Sequence, residues 1–276
     1  MKRIALFAVL ALVLGSAAAR AEGAKRPLVL ATTTSVRDTG LMDDLLPIFE
    51  KESGRQVQLI AVGSGAALAM GEKGDADVLL THEPDGEKAL VDKGALVDHV
   101  VIAENFFLIA GPAEDPAGIA KATDAVAAMK TLAAKNAPYV SRGDDSGTHK
   151  REQSLMKKAG LDPAVGWAAV MRTGQGMGAT LQVAGEKRAY ALTDTGTFQS
   201  FREQTDLAPV YDARTPELRN VYAVSRPNPA KLPAGRVDVE GGKQLAAFLT
   251  APATLERIGK FKAVAGQPLF RPVAPK

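Results

Sequence analysis

Side chains that can donate hydrogen bonds crowd into one short stretch, residues 141–149, Ser-Arg-Gly-Asp-Asp-Ser-Gly-Thr-His. Arg142 brings a guanidinium, Ser146 and Thr148 bring hydroxyls, and Gly147 lets a ligand approach the backbone closely. An apolar run at 137–140 before it predicts a strand, and 150–159 after it predicts a helix stopped by Gly160. A strand-to-helix turn leaves N–H groups unpaired at the positive end of a helix dipole, so this donor set suits a small oxyanion. The competing account is structural: Ser146 or Thr148 caps the helix, and Arg142 pairs with Asp144 or Asp145 at the surface.

Similar turns recur along the chain. Strand 28–31 runs into Thr32, Thr33, Thr34 and Ser35 before a helical pattern over 41–53, and capping alone needs one hydroxyl, not four. Strand 56–62 runs into Gly63, Ser64 and Gly65 ahead of an Ala-rich helix, and strand 189–192 into residues 193–197, Thr-Asp-Thr-Gly-Thr. The glycines of 173–178 match neither the dinucleotide fingerprint nor the P-loop, so a tight turn at a helix start is expected there.

Catalytic sets are sparse. Ser146 with His149 is the obvious nucleophile and base, but neither Ser64 nor Ser146 lies in G-x-S-x-G. The three histidines, His82, His99 and His149, form no metal-ligand spacing and are expected at the surface or at helix ends. The adjacent aspartates at 43–44 and 144–145 point apart on a turn, and the second pair sits beside Arg142, which favours a salt bridge over acid–base work.

Residues 1–21 carry the pattern of a secretory signal peptide: a basic start, an apolar run and an Ala-x-Ala end at Ala21, too short to span a bilayer. Export to the periplasm is the expectation. The chain has no cysteine for a disulfide, a thiolate metal site or a lipid anchor, which favours a freely diffusing protein over a lipid-tethered one, and a monomer is expected. Removing Lys2, Arg3 and Arg20 from the 34 basic residues leaves 31, equal to the 31 acidic ones. A neutral chain with few aromatics lacks the electrostatics and stacking platform of a nucleic-acid binder.

The elements that must hold these turns alternate between strand and helix, which predicts parallel sheets flanked by helices in an α/β fold. Pro47 should kink or break the helix at 41–53. Residues 115–136 read as helical, with Thr123 or Asp124 capping a second piece, and 100–111 as a long strand leading out of one domain. Hydroxyl-rich turns at the carboxyl ends of strands describe a ligand cleft, and without a catalytic set that describes a solute receptor.

Six segments then carry a specific likeness: 31–35 (Ala-Thr-Thr-Thr-Ser), 76–82 ending in Thr81-His82, 105–112 from Asn105 to Pro112, 141–148, 192–197, and 220–224 with Asn228-Pro229. Together they resemble the tungstate-binding component of ABC-type tungstate transporters, a branch of the type II periplasmic binding proteins. The resemblance implies two α/β lobes joined by two crossover strands near 105–110 and 220–225. Lobe one would be 22–108 and 220–276, and lobe two 109–219. It implies an oxyanion, tungstate or molybdate, held by Thr33, Thr34 and Ser35 with Ser64 and Gly65 from lobe one, and by Arg142, Ser146, Gly147 and Thr148 from lobe two. Thr195 is a marginal member of that set. No cofactor is implied, and the partner would be a membrane permease. Residues 142–148 also resemble the R-x-D-x-S-G-T pattern of phosphate receptors, which leaves phosphate as the alternative ligand and a small periplasmic hydrolase as the more distant one. Phosphate carries a proton at neutral pH and needs an acceptor, so Asp144 facing the cleft would favour it, and Asp144 bracing Arg142 would favour tungstate.

Overall fold

The computed structural model describes residues 26–261 and 268–274, so the expected signal peptide at 1–21 lies outside the described residues. The chain begins with three strands, β1 (Leu28–Thr33), β2 (Val57–Val62) and β3 (Val78–Thr81). Between them run α1 (Thr34–Thr39), α2 (Leu41–Ser53) and α3 (Ser64–Lys73). β1 lies between β2 and β3 and pairs with both in parallel, which the intervening helices allow by carrying the chain back across the sheet.

Local sequence explains the boundaries. α2 starts and stops at Gly40 and Gly54, both at positive φ (77° and 67°), where L-residues are strained. Of the kink or break expected at Pro47, the break does not occur, and the helix continues through it. Its inner face buries Leu41, Met42, Leu45, Leu46 and Phe49. At about 1.5–3 kcal/mol per buried apolar side chain, that face outweighs the roughly 3 kcal/mol that an internal proline costs.

After α4 (Pro84–Asp92) the chain enters the 17-residue strand β4 (Leu96–Pro112). Its first part pairs with β9 (Arg219–Pro227), up to Phe106 opposite Arg219. From Phe107 onward it pairs with β7 (Ala191–Asp194), and from Ile109 with β8 (Leu207–Tyr211). One strand therefore serves two sheets. The first has the order β10-β4-β9-β3-β1-β2, where β10 is Arg271–Pro272. The second adds a parallel pair, β5 (Tyr139–Ser141) and β6 (Val170–Arg172), joined to the β7 edge by a bridge between Tyr139 and Tyr190. The sheets are mixed. The expected parallel pairing holds within the βαβ units, whereas β3–β9, β4–β9, β4–β7, β4–β8 and β4–β10 are antiparallel because β4 and β9 run between the lobes in opposite directions.

The apolar core divides in the same way. One cluster joins residues between Leu28 and Ala103, such as Leu30, Phe49 and Val78, to Tyr222 on β9, Leu249 on α9 (Val239–Thr250), Ile258 on α10 (Pro252–Lys260) and Phe270. Two others draw only on residues between Phe107 and Leu218. The second lobe carries α5 (Ala125–Ala134), α6 (Gly147–Lys158), α7 (Met177–Glu186) and α8 (Thr195–Phe201). Residues 115–124 are not the helix expected: Asp115 sits at φ 46° and only a 3-10 turn, Ile119–Lys121, precedes α5. Pro116 and Gly118 break the pattern, and the Asp115 carboxylate accepts the freed N–H groups of Ile119 (3.1 Å) and Ala120 (2.9 Å). Asp124 caps α5 through Ala127 N–H at 2.7 Å, as expected of that pair. No described helix is long and apolar enough to cross a membrane.

Candidate functional site

The N-termini of α1, α3 and α6 meet where the lobes face each other. Ser64 Oγ, at the first position of α3, accepts the backbone N–H of Gly147, at the first position of α6, at 3.0 Å. Thr34 Oγ1 on α1 accepts Arg142 Nη2 at 3.4 Å. α7 closes the group, since a Cβ added at its cap, Gly176, would lie 3.7 Å from Thr34 Cβ. Three or more helix N-termini at one point set up a positive potential with N–H groups aimed inward.

Arg142 is the largest of the fully buried side chains, with 1 % of its surface exposed. Its Nε donates to Gln175 O at 2.9 Å, and Nη2 is gripped by Asp144 Oδ2 as well as reaching Thr34. Its Nη1 is buried with no hydrogen-bond partner among the described residues, and so is Thr148 Oγ1. A buried donor without a partner costs about 1–3 kcal/mol, so two such groups in one turn point to a missing acceptor.

Asp144 does not offer that acceptor. Its Oδ2 holds Arg142 and its Oδ1 takes Ser146 N–H at 3.2 Å, so the carboxylate braces the guanidinium and the turn. The surface salt bridge foreseen in the structural account does form, but buried and with one guanidinium nitrogen left over. Ser146 caps α6, accepting His149 N–H at 3.2 Å, which uses a lone pair of its oxygen and leaves the O–H proton able to donate. The Ser146–His149 dyad is not assembled: His149 Nδ1 accepts Asp145 N–H at 3.0 Å, and its ring makes no bond to Ser146. Burial lowers the pKa of His149 below its ordinary value.

On the first-lobe side the hydroxyls are used differently. Thr33 caps α1 by accepting Val36 N–H at 3.3 Å. Its Oγ1 also lies 3.0 Å from Ser35 Oγ, and both stand 3.0 Å from Nε2 of His82. His82 is 4 % exposed, stacked on Tyr222 at 4.9 Å, and bonded through Nδ1 to Asn220 Oδ1 at 3.0 Å. The expectation of a surface or helix-end histidine fails for this residue. Thr81, just before it, ends a strand of four buried residues, and a polar ring that continues such a run is a signal that was present in the sequence.

The remaining expected residues separate. A Cβ on Gly147 would approach Ser64 Oγ to 3.0 Å and His82 O to 3.3 Å, so glycine lets the lobes meet there. Gly65 faces the second lobe, 3.6 Å from Asp145 Oδ2 by the same construction. Thr195 is not brought to this point: its hydroxyl lies 3.5 Å from Phe106 N on β4. A second residue missed from sequence is Glu152, buried behind the turn, where it accepts from Ser141 Oγ and from Tyr139 OH at 3.1 Å. Burial pushes its pKa up to about 7. Its place on the face that also carries Thr148, Leu155 and Met156 marks it as an acid on the buried stripe of α6.

Comparison with known proteins gives a consistent result. Residues 16–253 match the family model of a PBP superfamily domain. The tungstate-binding protein TupA of Peptoclostridium acidaminophilum is 38% identical over 256 residues, 92% of this chain and 88% of the relative. The tungstate ABC transporter structure from Geobacter sulfurreducens superposes with a TM-score of 0.75 at 42% identity, covering 87% of this chain and 100% of that one. The tungstate-binding protein TupA from Desulfovibrio alaskensis G20 gives 0.74 at 42% identity, covering 90% and 99%.

Proposed function

The chain belongs to the PBP superfamily, and from that premise we propose that it is an extracytoplasmic receptor that captures tungstate or molybdate between its lobes and delivers it to an ABC permease. The observation that carries the reading is the pair of buried donors without partners, Arg142 Nη1 and Thr148 Oγ1, at the convergence of helix N-termini. Tungstate at neutral pH is an acceptor only, which matches a site whose nearest carboxylate is turned onto Arg142 and Ser146 N–H. Phosphate would bring a proton that finds no free oxygen on Asp144, whose two oxygens are already taken by Arg142 and Ser146 N–H.

Arg142, Gly147 and Thr148 would bind from the second lobe, and Thr34, Ser35, Ser64 and Gly65 from the first. Ser146 and Thr33 would join them, since each accepts the cap bond that holds its turn and still has its own O–H proton. Lobe one comprises 22–108 and 220–276 and lobe two 109–219, hinged at β4 and β9. Contacts from both lobes stabilise the closed form, and the permease would read closure. The protein works as a periplasmic monomer, without catalytic turnover.

A thermal-shift series on the mature chain with tungstate, molybdate, sulfate and phosphate tests this. At about a hundred times its dissociation constant a true ligand adds roughly 2.7 kcal/mol, which is about 5–10 °C for a chain of this size. Shifts with tungstate and molybdate and none with phosphate are expected. A shift with phosphate alone would overturn the ligand assignment.

A further inference from the structure

The hinge strands and the first-lobe hydroxyls share one hydrogen-bonded chain whose proton positions can be deduced. Asp194, fully buried at the cap of α8, has carboxylate oxygens that only accept, and takes Asn105 Nδ2 at 3.0 Å together with Thr197 N and Oγ1. That fixes the Asn105 amide with Oδ1 facing Asn220, which donates Nδ2 to it at 2.9 Å and to Tyr222 OH at 2.8 Å. Asn220 Oδ1 is then the atom presented to His82 Nδ1, so Nδ1 carries a proton. Asn105 and Asn220 are register partners on β4 and β9, where the chain passes between lobes.

A neutral ring protonated at Nδ1 leaves Nε2 as an acceptor of one hydrogen bond. Thr33 and Ser35 stand at equal distance from it with two hydroxyl protons between them. One proton must go to Nε2, so at most one remains for a ligand. A ring protonated at both nitrogens donates from Nε2 instead, frees the hydroxyl protons to turn outward, and adds a positive charge.

Resting on the receptor reading, we propose that His82 is a positioning residue that couples the hinge to the ligand, setting through its protonation state how many hydroxyl donors Thr33 and Ser35 offer an oxyanion. Groups on every packed element act on the ring. Thr33 and Ser35 face it from the β1–α1 turn, Asn220 and Tyr222 from β9, Asp194 from β7, Glu87 from α4, Arg142 from the β5–α6 turn and Gly147 from α6. Burial lowers its pKa, helped by Arg142, while Asp194, Asn220 and Glu87 oppose the shift. The neutral form therefore prevails at pH 7, and acidification strengthens the site.

Calorimetry with micromolar tungstate on wild type and His82→Gln between about pH 5 and 8 tests this, because the glutamine amide does not titrate and the ligand's own protonation cancels between the two. Wild-type affinity should rise relative to the variant as pH falls, by at most about tenfold per pH unit. Parallel profiles would overturn the proposal while leaving the receptor reading intact. Failure of the wild type to bind any oxyanion at any pH would overturn both. A readout on the wild type guards against a variant that does not fold. Long-range nitrogen–proton spectra of histidine-labelled protein should show His82 protonated at Nδ1 and bare at Nε2 at neutral pH, and the reverse tautomer would refute the deduction.

Discussion

The two turns that face each other across the cleft contain similar residues and treat them oppositely. In the second-lobe turn, Arg142 and Thr148 keep a nitrogen and a hydroxyl buried without partners. In the first-lobe turn, Thr33 and Ser35 spend their hydroxyls on each other and on His82. The difference divides labour: the second lobe supplies charge and unsatisfied donors, whereas the first supplies helix N-termini whose hydroxyls are held by the hinge. Donor count in the sequence therefore overstates what the fold leaves unpaired, more so in the first-lobe turn than in the second, where Arg142 Nη1 and Thr148 Oγ1 remain.

Four substitutions break or sharpen that contrast. Arg142→Ala should have the largest effect, a loss of about 2–5 kcal/mol of binding, because it removes a buried charge and leaves Asp144 unpaired beside the anion. Unchanged affinity by calorimetry would end the account of the second lobe. Glu152→Gln sharpens the support behind the same turn. A carboxyl whose folded pKa is raised to about 7 contributes most below its unfolded value near 4.3, and loses that contribution as pH rises to 7. The stability of wild type minus that of the variant should therefore fall by roughly 3 kcal/mol from pH 4 to 7 and stay level above, as denaturant titrations at each pH would reveal.

Thr148→Val should weaken binding by about 1–2 kcal/mol, yet leave the ligand-free protein as stable or more so, since a buried hydroxyl without a partner is removed. A fall in ligand-free melting temperature would mean that the hydroxyl has a partner in the resting protein. Thr33→Ala should act in the opposite sense, costing about 1 kcal/mol of stability through the lost cap and less affinity than Thr148→Val. If Thr33→Ala proves the more damaging to binding, the contrast between the turns is wrong.

What could be read from sequence follows from range. Strand-to-helix turns are local, so the hydroxyls at 33–35, Ser64 and the 141–148 stretch were legible as a set, and the likeness to known receptors ordered them into two lobes. The hinge network was not legible: His82 meets Asn220 across 138 positions, Asn220 meets Asn105 across 115, and Asn105 meets Asp194 across 89. Each of those residues alone is ordinary. Thr195, the marginal member of the set, is a hydroxyl at a turn of the same kind that the fold places against β4. At Pro47 the local cost was visible in the sequence, whereas the buried face that lets the helix continue depends on tertiary packing.

The most direct test of the central claim is anomalous scattering from tungsten in crystals of the mature protein grown with tungstate. A single strong peak within hydrogen-bonded reach of Arg142 Nη1 and Thr148 Oγ1, with Asp144 still turned onto Arg142, is the predicted result. A peak elsewhere, or a cleft that takes phosphate with Asp144 swung inward, would contradict it.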